Sequence, residues 1–161
     1  MKLTKRGVAK WLRSVKLLVV DLDGTLTDGN VLYKRYDVKD GYGLKHLKIT
    51  KALITGSVGP TIVKRAKELG FDFILTGIEN KKIELDRIIE KLNLKTHEVC
   101  YVGDDMNDFE CITYKGILSI AVNDAVLEIK SKSKYVLHKK GGHGAIREVT
   151  DMMTGGQYIE S

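Results

Sequence analysis

Asp21 and Asp23 stand one residue apart directly after the apolar run Leu17 to Val20, and they are the first residues of this chain suited to chemistry. On an extended strand end, residues i and i+2 point the same way, so both carboxylates would face one cavity. Such a pair needs a cation or a proton to be tolerated. Three further groups sit in comparable places. Thr55-Gly56-Ser57 follows the run Ala52 to Ile54 and joins a hydroxyl to a glycine that lets the backbone approach a ligand. Asn80-Lys81-Lys82 opens an amphipathic segment, where the free N–H groups and positive potential of a helix start add to a lysine charge suited to phosphate. GDDMND follows Val99 to Val102 and supplies Asp104, Asp105 and Asp108.

Acid pair, hydroxyl, lysine and acid cluster in this order suit phosphoryl transfer through a covalent aspartyl phosphate. A carboxylate attacking a phosphate dianion meets like-charge repulsion, which calls for a divalent cation held by Asp21 and the Asp104 cluster. An all-oxygen donor set selects a hard ion such as Mg²⁺. Thr55 and Lys81 are the expected holders of the remaining phosphoryl oxygens. Asp23 is the expected acid for the leaving alkoxide and the base for the attacking water. An EF-hand reading of the first motif fails, because Leu26 stands where its glycine is needed and Leu32 where its glutamate is needed. No GxxxxGK[ST] occurs, so no P-loop nucleotide site is implied.

These groups have to be positioned by the elements that precede them. Apolar β-rich runs recur at Lys16 to Val20, Ala52 to Ile54, Phe73 to Leu75, Val99 to Val102, Ile117 to Val122 and Tyr135 to Leu137. Helical patterns lie between most of them, clearest over Lys81 to Leu92, where Leu85, Ile88, Ile89 and Leu92 make one stripe. Strands alternating with helices predict an α/β fold with a mostly parallel central sheet and helices on both faces. Ligands of such sheets bind beyond the carboxyl ends of the strands, which is where all four groups fall. A last helical pattern, Ala145, Ile146, Val149 and Met152 or Met153, lies between Gly141-Gly142 and Gly155-Gly156. The segment after it is expected to reach outward.

The 161 residues predict one domain over 1–161, with 43% hydrophobic and 30% charged residues in ordinary globular proportion. The longest apolar runs are four residues, against roughly 20 needed to span a bilayer, and the basic start lacks the apolar stretch of a signal peptide. No membrane association and a cytoplasmic address are expected. Cys100 and Cys111 show no paired spacing and read as reduced core residues. His46, His97, His138 and His143 have no ligand spacing. The net charge of +6 is spread along the chain, which favours attraction of small anions over a dedicated nucleic-acid groove.

DLDGTLTDG, ITG, NK and GDDMND together resemble the motifs of the haloacid dehalogenase-like phosphatase superfamily. The resemblance spans nearly the whole chain and implies a three-layer, Rossmann-like fold. It implies Asp21 as nucleophile, Asp23 as acid and base with its backbone carbonyl on Mg²⁺, Thr55, Gly56 and Lys81 on phosphate, and Asp104 as metal ligand. Asp105 would be a supporting or water-mediated ligand and Asp108 a loop brace. Lys82 is the rival for the lysine role, although Asn80-Lys81 matches the family pattern better. The intervals from Asp21 to Thr55 and from Thr55 to Lys81 have room for crossover helices and a small hairpin flap, and for no cap domain.

TDG at 27–29, VKDGYGLK at 38–45 and GGHGAIREV at 141–149 resemble the capless branch that contains Kdo 8-phosphate phosphatases and phosphatases of nine-carbon 2-keto-3-deoxy sugar acid 9-phosphates. That resemblance implies a small phosphorylated sugar acid as substrate, a homotetramer whose hairpins and C-terminal segments cover neighbouring sites, and Arg65 and Arg147 as contacts to the substrate carboxylate or a neighbour. Ser57 stands where Kdo phosphatases commonly carry Arg and the nine-carbon branch Glu. The other readings are a capless phosphatase acting on a polynucleotide or phosphoprotein, and a non-catalytic or receiver-like signalling domain. Receivers carry adjacent acids after the first strand and no late GDD.

Overall fold

A computed structural model describes residues 1–157, so the final four residues of the expected outward-reaching segment lie outside the described residues. Six strands form one parallel sheet: β1 (Leu17–Val20), β2 (Thr50–Ile54), β3 (Phe73–Leu75), β4 (Val99–Gly103), β5 (Leu118–Ala121) and β6 (Tyr135–Val136). Their spatial order is β3-β2-β1-β4-β5-β6. β1 lies at the centre, with Val20 opposite Leu53 of β2 and Val102 of β4. Every residue of β1, β4 and β5 is buried, which is why they read as unbroken apolar runs: a parallel sheet is covered on both faces.

The helices supply that cover. They are α1 (Lys5–Leu12), α2 (Val38–His46), α3 (Pro60–Glu68), α4 (Lys81–Lys91), α5 (Phe109–Ile112), α6 (Leu127–Lys132) and α7 (Ala145–Thr154). α7 packs against α1 and α2, while α5 packs against α4 and α6. This is the three-layer α/β arrangement that the motifs imply, and among the described residues nothing inserted between strands is large enough to be a cap. The expected hairpin flap is smaller than anticipated. It reduces to one antiparallel bridge, Thr27 to Tyr36, at the base of a loop. Local side-chain bonds explain the missing ladder. Asp28 Oδ1 accepts from the Asn30 N–H at 3.0 Å, and Asn30 Oδ1 accepts from the Leu32 and Tyr33 N–H groups, so the backbone donors turn inward instead of pairing across.

Asp40 explains the second branch motif. It is fully buried on α2, and its Oδ1 accepts the Arg147 N–H at 2.7 Å in the first turn of α7. The residue that precedes that helix, Gly144, has no side chain to cap it, so Asp40 caps α7 from a neighbouring helix. The third motif does the same work from the other side: a Cβ on Gly141 would stand 1.7 Å from the Gly24 carbonyl oxygen. The second motif therefore ties α2 to α7, and the third presses the segment before α7 onto the turn that follows β1.

Among the described residues Asp40 Oδ2 has no hydrogen-bond partner, and burial pushes the carboxyl up to about 6 against the pull of backbone N–H groups at the start of α7. The folded state thus holds this proton more tightly than the unfolded chain does. The associated stability is present in acid and lost as pH rises through about 6. Thermal melts of the parent and Asp40→Asn between pH 4.5 and 7.5 should diverge, the parent losing on the order of 2 kcal/mol more than the variant, whose side chain cannot titrate. Parallel curves would show that Asp40 does not titrate in this range.

Candidate active site

The chain after β1 makes a single wide turn over Leu22–Leu26, closed by the Leu26 N–H to the Asp21 carbonyl and the Thr27 N–H to the Leu22 carbonyl. Gly24 sits in it at φ +79, and a Cβ there would lie 2.1 Å from Asp104 Oδ2. Only glycine fits, because the turn is pressed directly against the acid cluster after β4. Asp21 extends β1 by one residue, its N–H bonded to the Val102 carbonyl of β4 at 3.1 Å, so the side chain is delivered by the most rigid part of the sheet.

Asp21 is buried, with Lys81 Nζ 2.6 Å from its Oδ1. Lys81 opens α4 behind Asn80, whose side chain accepts the Ile83 N–H at 3.1 Å and fixes the helix start. The same ammonium lies 2.8 Å from Asp108 Oδ1. Burial alone would lower the lysine, but the Asp21 and Asp108 carboxylates outweigh it and hold it at about 12. Lys82 turns away, paired with Asp86 at 2.5 Å and 3.9 Å above the Tyr114 ring. Of the two rivals, Lys81 stands in the acid cluster.

Oxygens of Asp21, Asp104 and Asp108 lie within 4.8 Å of one another. Desolvation, then Asp108, push the Asp21 carboxyl well above its usual range despite Lys81, and desolvation with Asp108 and Asp105 lifts Asp104 to about 6 against bonds to Asp21 and Thr25. Crowded carboxylates of this kind ask for a cation. Asp108 has nothing left to give one. Its Oδ1 accepts from Lys81 Nζ and the Tyr101 hydroxyl, and its Oδ2 from the Asp104 N–H at 2.9 Å, so it braces the loop. Asp21 and Asp104 keep open oxygens, and Thr25 Oγ1 steadies Asp104 Oδ1 at 2.9 Å. A hard divalent ion fits this all-oxygen set.

Thr55 is buried at the end of β2, its N–H bonded to the Leu75 carbonyl and its Oγ1 accepting the Ser57 N–H. Gly56 is exposed beside it. Asp23 stands at the mouth, where Lys34 Nζ contacts its Oδ1 and the Ser57 hydroxyl donates to its Oδ2. Asp105 is exposed at the rim and its Oδ1 accepts the Met106 N–H at 2.7 Å. The two arginines part company around α2: Arg65 lies over the Tyr36 ring at 5.6 Å, and Arg147 over Tyr42 at 5.3 Å and against Asp151. Arg147 lines a separate cavity of about 670 Å³ with Lys5, Lys39 and His143. Sequence reasoning missed Lys34, Thr25 and Tyr101, for which no spacing rule exists.

This fold and this cluster define a class. Residues 44–149 match the family model of haloacid dehalogenase-like hydrolases. The 3-deoxy-D-manno-octulosonate 8-phosphate phosphatase of Salmonella typhi is 36% identical over 150 residues, covering 87% of this chain and 79% of that protein. The Yersinia pestis phosphatase of that name is 34% identical over 150 residues, covering 87% of this chain and 80% of its own. A crystal structure of the Moraxella catarrhalis phosphatase of that name, in complex with magnesium, phosphate and Kdo, superposes with a TM-score of 0.87 at 33% identity, covering 93% of this chain and 91% of that one. The chain belongs to the haloacid dehalogenase-like hydrolases. Within that family it is a phosphatase of the capless branch. Among the described residues no helix is long and apolar enough to cross a membrane.

Proposed function

We propose that this chain, acting as one domain in the cytoplasm, is a Mg²⁺-dependent phosphatase of a phosphorylated 2-keto-3-deoxy sugar acid, Kdo 8-phosphate or a nine-carbon relative. The observation that carries the reading is a buried Asp21 flanked by Lys81 and Asp104 at the carboxyl ends of the central strands. The Asp21 carboxylate attacks phosphorus and the ester P–O bond breaks, leaving the phosphoryl group on Asp21. Asp23 gives its proton to the departing alkoxide, then takes one from the water that attacks phospho-Asp21, and inorganic phosphate leaves with Asp21 restored. Lys81, the Thr55 hydroxyl and the Gly56 N–H hold the phosphoryl oxygens as charge moves. Asp21, Asp104 and the Asp23 carbonyl, with Asp105 at the rim, would hold Mg²⁺, whose chemistry here is to offset the repulsion between nucleophile and phosphate.

A homotetramer belongs to the same proposal. The tip of the loop after Thr27 exposes Val31, Leu32 and Tyr33 at 85%, 84% and 78%, three consecutive apolar side chains beside an open mouth. A panel of phosphorylated sugar acids, neutral sugar phosphates, nucleotides and phosphopeptides, assayed with Mg²⁺ and with chelator, tests the reading, with light scattering on the same preparation. Chelator-sensitive turnover of a sugar acid phosphate by a tetramer is expected. Turnover confined to nucleotides or phosphopeptides by a monomer would shift the assignment to a macromolecular substrate, which the uncapped mouth and the +6 charge also suit.

A further inference from the structure

Both oxygens of Asp23 are engaged before any substrate arrives. Ser57 Oγ donates to Oδ2 from the loop after β2, and Lys34 Nζ meets Oδ1 from the loop that leaves the β1 turn. The two contacts differ in kind. The Ser57 bond joins a short side chain to a carboxylate that the adjacent backbone already aims. The Lys34 pair is held at the mouth by a long side chain, with 24% of the lysine and 36% of the aspartate side chain exposed. The ammonium has three N–H donors, and Asp23 is its one recorded partner among the described residues. Lys81 is the contrast: it is buried between two carboxylates and has no comparable freedom.

Lys34 is nevertheless delivered with care. The Thr27 to Tyr36 bridge lies two residues beyond it, and the Asp28 N–H to the Arg35 carbonyl at 3.3 Å lies one residue beyond. Asp28 Oδ1 also accepts the Arg35 N–H. The base of the loop is therefore fixed, while the lysine side chain is the part that can swing. Tyr36, half-buried at that base, feels Asp23 and Arg65 together, so Arg65 adds a second positive charge on the same side of the mouth.

We propose that the Lys34–Asp23 ion pair is a resting clasp which a carboxylate on the alcohol part of the substrate opens, and that Lys34 thereby selects acidic over neutral phosphomonoesters. The substrate carboxylate takes the ammonium, the released Asp23 Oδ1 picks up from solvent at the exposed mouth the proton it then gives to the ester oxygen, and Ser57 keeps hold of Oδ2 throughout. A neutral sugar phosphate offers no anion in exchange, so Lys34 stays on Asp23 and the leaving group meets an occupied carboxylate. A cation contributed by this loop also accounts for an uncharged Ser57 after Thr55-Gly56: the positive charge of the mouth comes from another segment. This rests on the reading above for the role of Asp23 and deepens it for the substrate class.

The test compares the parent with Lys34→Met, close in length and uncharged, and Lys34→Arg, which keeps the charge. Substrate pairs differ only in a carboxylate: Kdo 8-phosphate against its alcohol analogue, and 3-phosphoglycerate against glycerol 3-phosphate. Lys34→Met should raise KM for the acidic member about tenfold, the usual loss for one charge-assisted contact. The same variant should speed the neutral member, because Asp23 is no longer clasped, and Lys34→Arg should keep most of the parent's preference. Free Kdo, with neither phosphate nor metal added, should raise the melting temperature of the parent and not of Lys34→Met. Equal slowing of both members, or unchanged preference, overturns the proposal. If the parent ignores Kdo 8-phosphate but hydrolyses the three-carbon pair, the sugar-acid reading fails while the clasp is still decided by that pair. If it hydrolyses neither, loss of the acidic preference has nothing to act on and the proposal fails with it.

Discussion

Asp21→Asn should abolish turnover, by on the order of 10⁴ or more, while leaving the protein folded. Asparagine has the shape of aspartate, but its amide cannot attack phosphorus to form an acyl phosphate. The fold has no reason to suffer. Asp21 is pushed toward its protonated form by burial and by Asp108, so a neutral side chain relieves repulsion instead of creating it. Lys81 keeps Asp108 as a partner at 2.8 Å, and the Asp21 N–H bond to β4 is a backbone contact that survives the change. The melting temperature should therefore hold or rise, as when a site strained for function is relaxed. Acid quench of the parent during turnover should trap phosphate on Asp21, read by mass spectrometry, and the variant should trap none. Near-normal turnover by Asp21→Asn on any substrate of the parent would remove the covalent mechanism.

β1, β4 and β5 were legible because burial on both faces leaves an unbroken apolar signature, while β3 coincides residue for residue with its run Phe73 to Leu75 although all three are only half-buried. β2 begins earlier than its pattern, at Thr50, because Lys51 lies buried inside it with its ammonium on the Leu47 and Ile49 carbonyls. A lysine that spends its charge on local carbonyls defeats any hydrophobic count. α1 was hidden in the same way: Val8 and Leu12 are buried one turn apart, but the cations around them made the segment read as a basic start. In the site, Asp21, Thr55, Lys81 and Asp104 were legible because each closes a strand or opens a helix, and those positions converge in any such sheet. Asp104 and Asp105 are adjacent and have the same side chain, and only the turn decides that the first faces Asp21 while the second is exposed at the rim. Arg65 and Arg147 were grouped by chemistry, and the thickness of α2 separates them. Lys34 belongs to a loop whose path is set by Asp28 and Asn30, and side-chain turns of that kind carry no periodicity.

Lys81→Ala should lose on the order of 10² to 10³ in turnover, as removal of one preorganised electrostatic stabiliser does, and Lys82→Ala should stay within about twofold of the parent. The two lysines are sequence neighbours with opposite fates. Lys81 is 2% exposed and its Nζ touches Asp21, whereas Lys82 pairs with Asp86 one turn along its own helix. Loss of Lys81 also leaves Asp21 and Asp108 buried without their cation, so instability could masquerade as a catalytic defect. The double variant Lys81→Met, Asp108→Asn separates the two effects. It removes the unpaired charge while Tyr101 can still bond the side chain at position 108, so thermal stability should largely return. Activity should not, because no cation is left beside Asp21 to receive the phosphoryl oxygens. Since the two carboxylates hold Lys81 charged up to about 12, a fall in parent activity between pH 8 and 10 has to be assigned to another group. Recovery of turnover in the double variant, or a larger loss in Lys82→Ala than in Lys81→Ala, would move the phosphate-binding role away from Lys81.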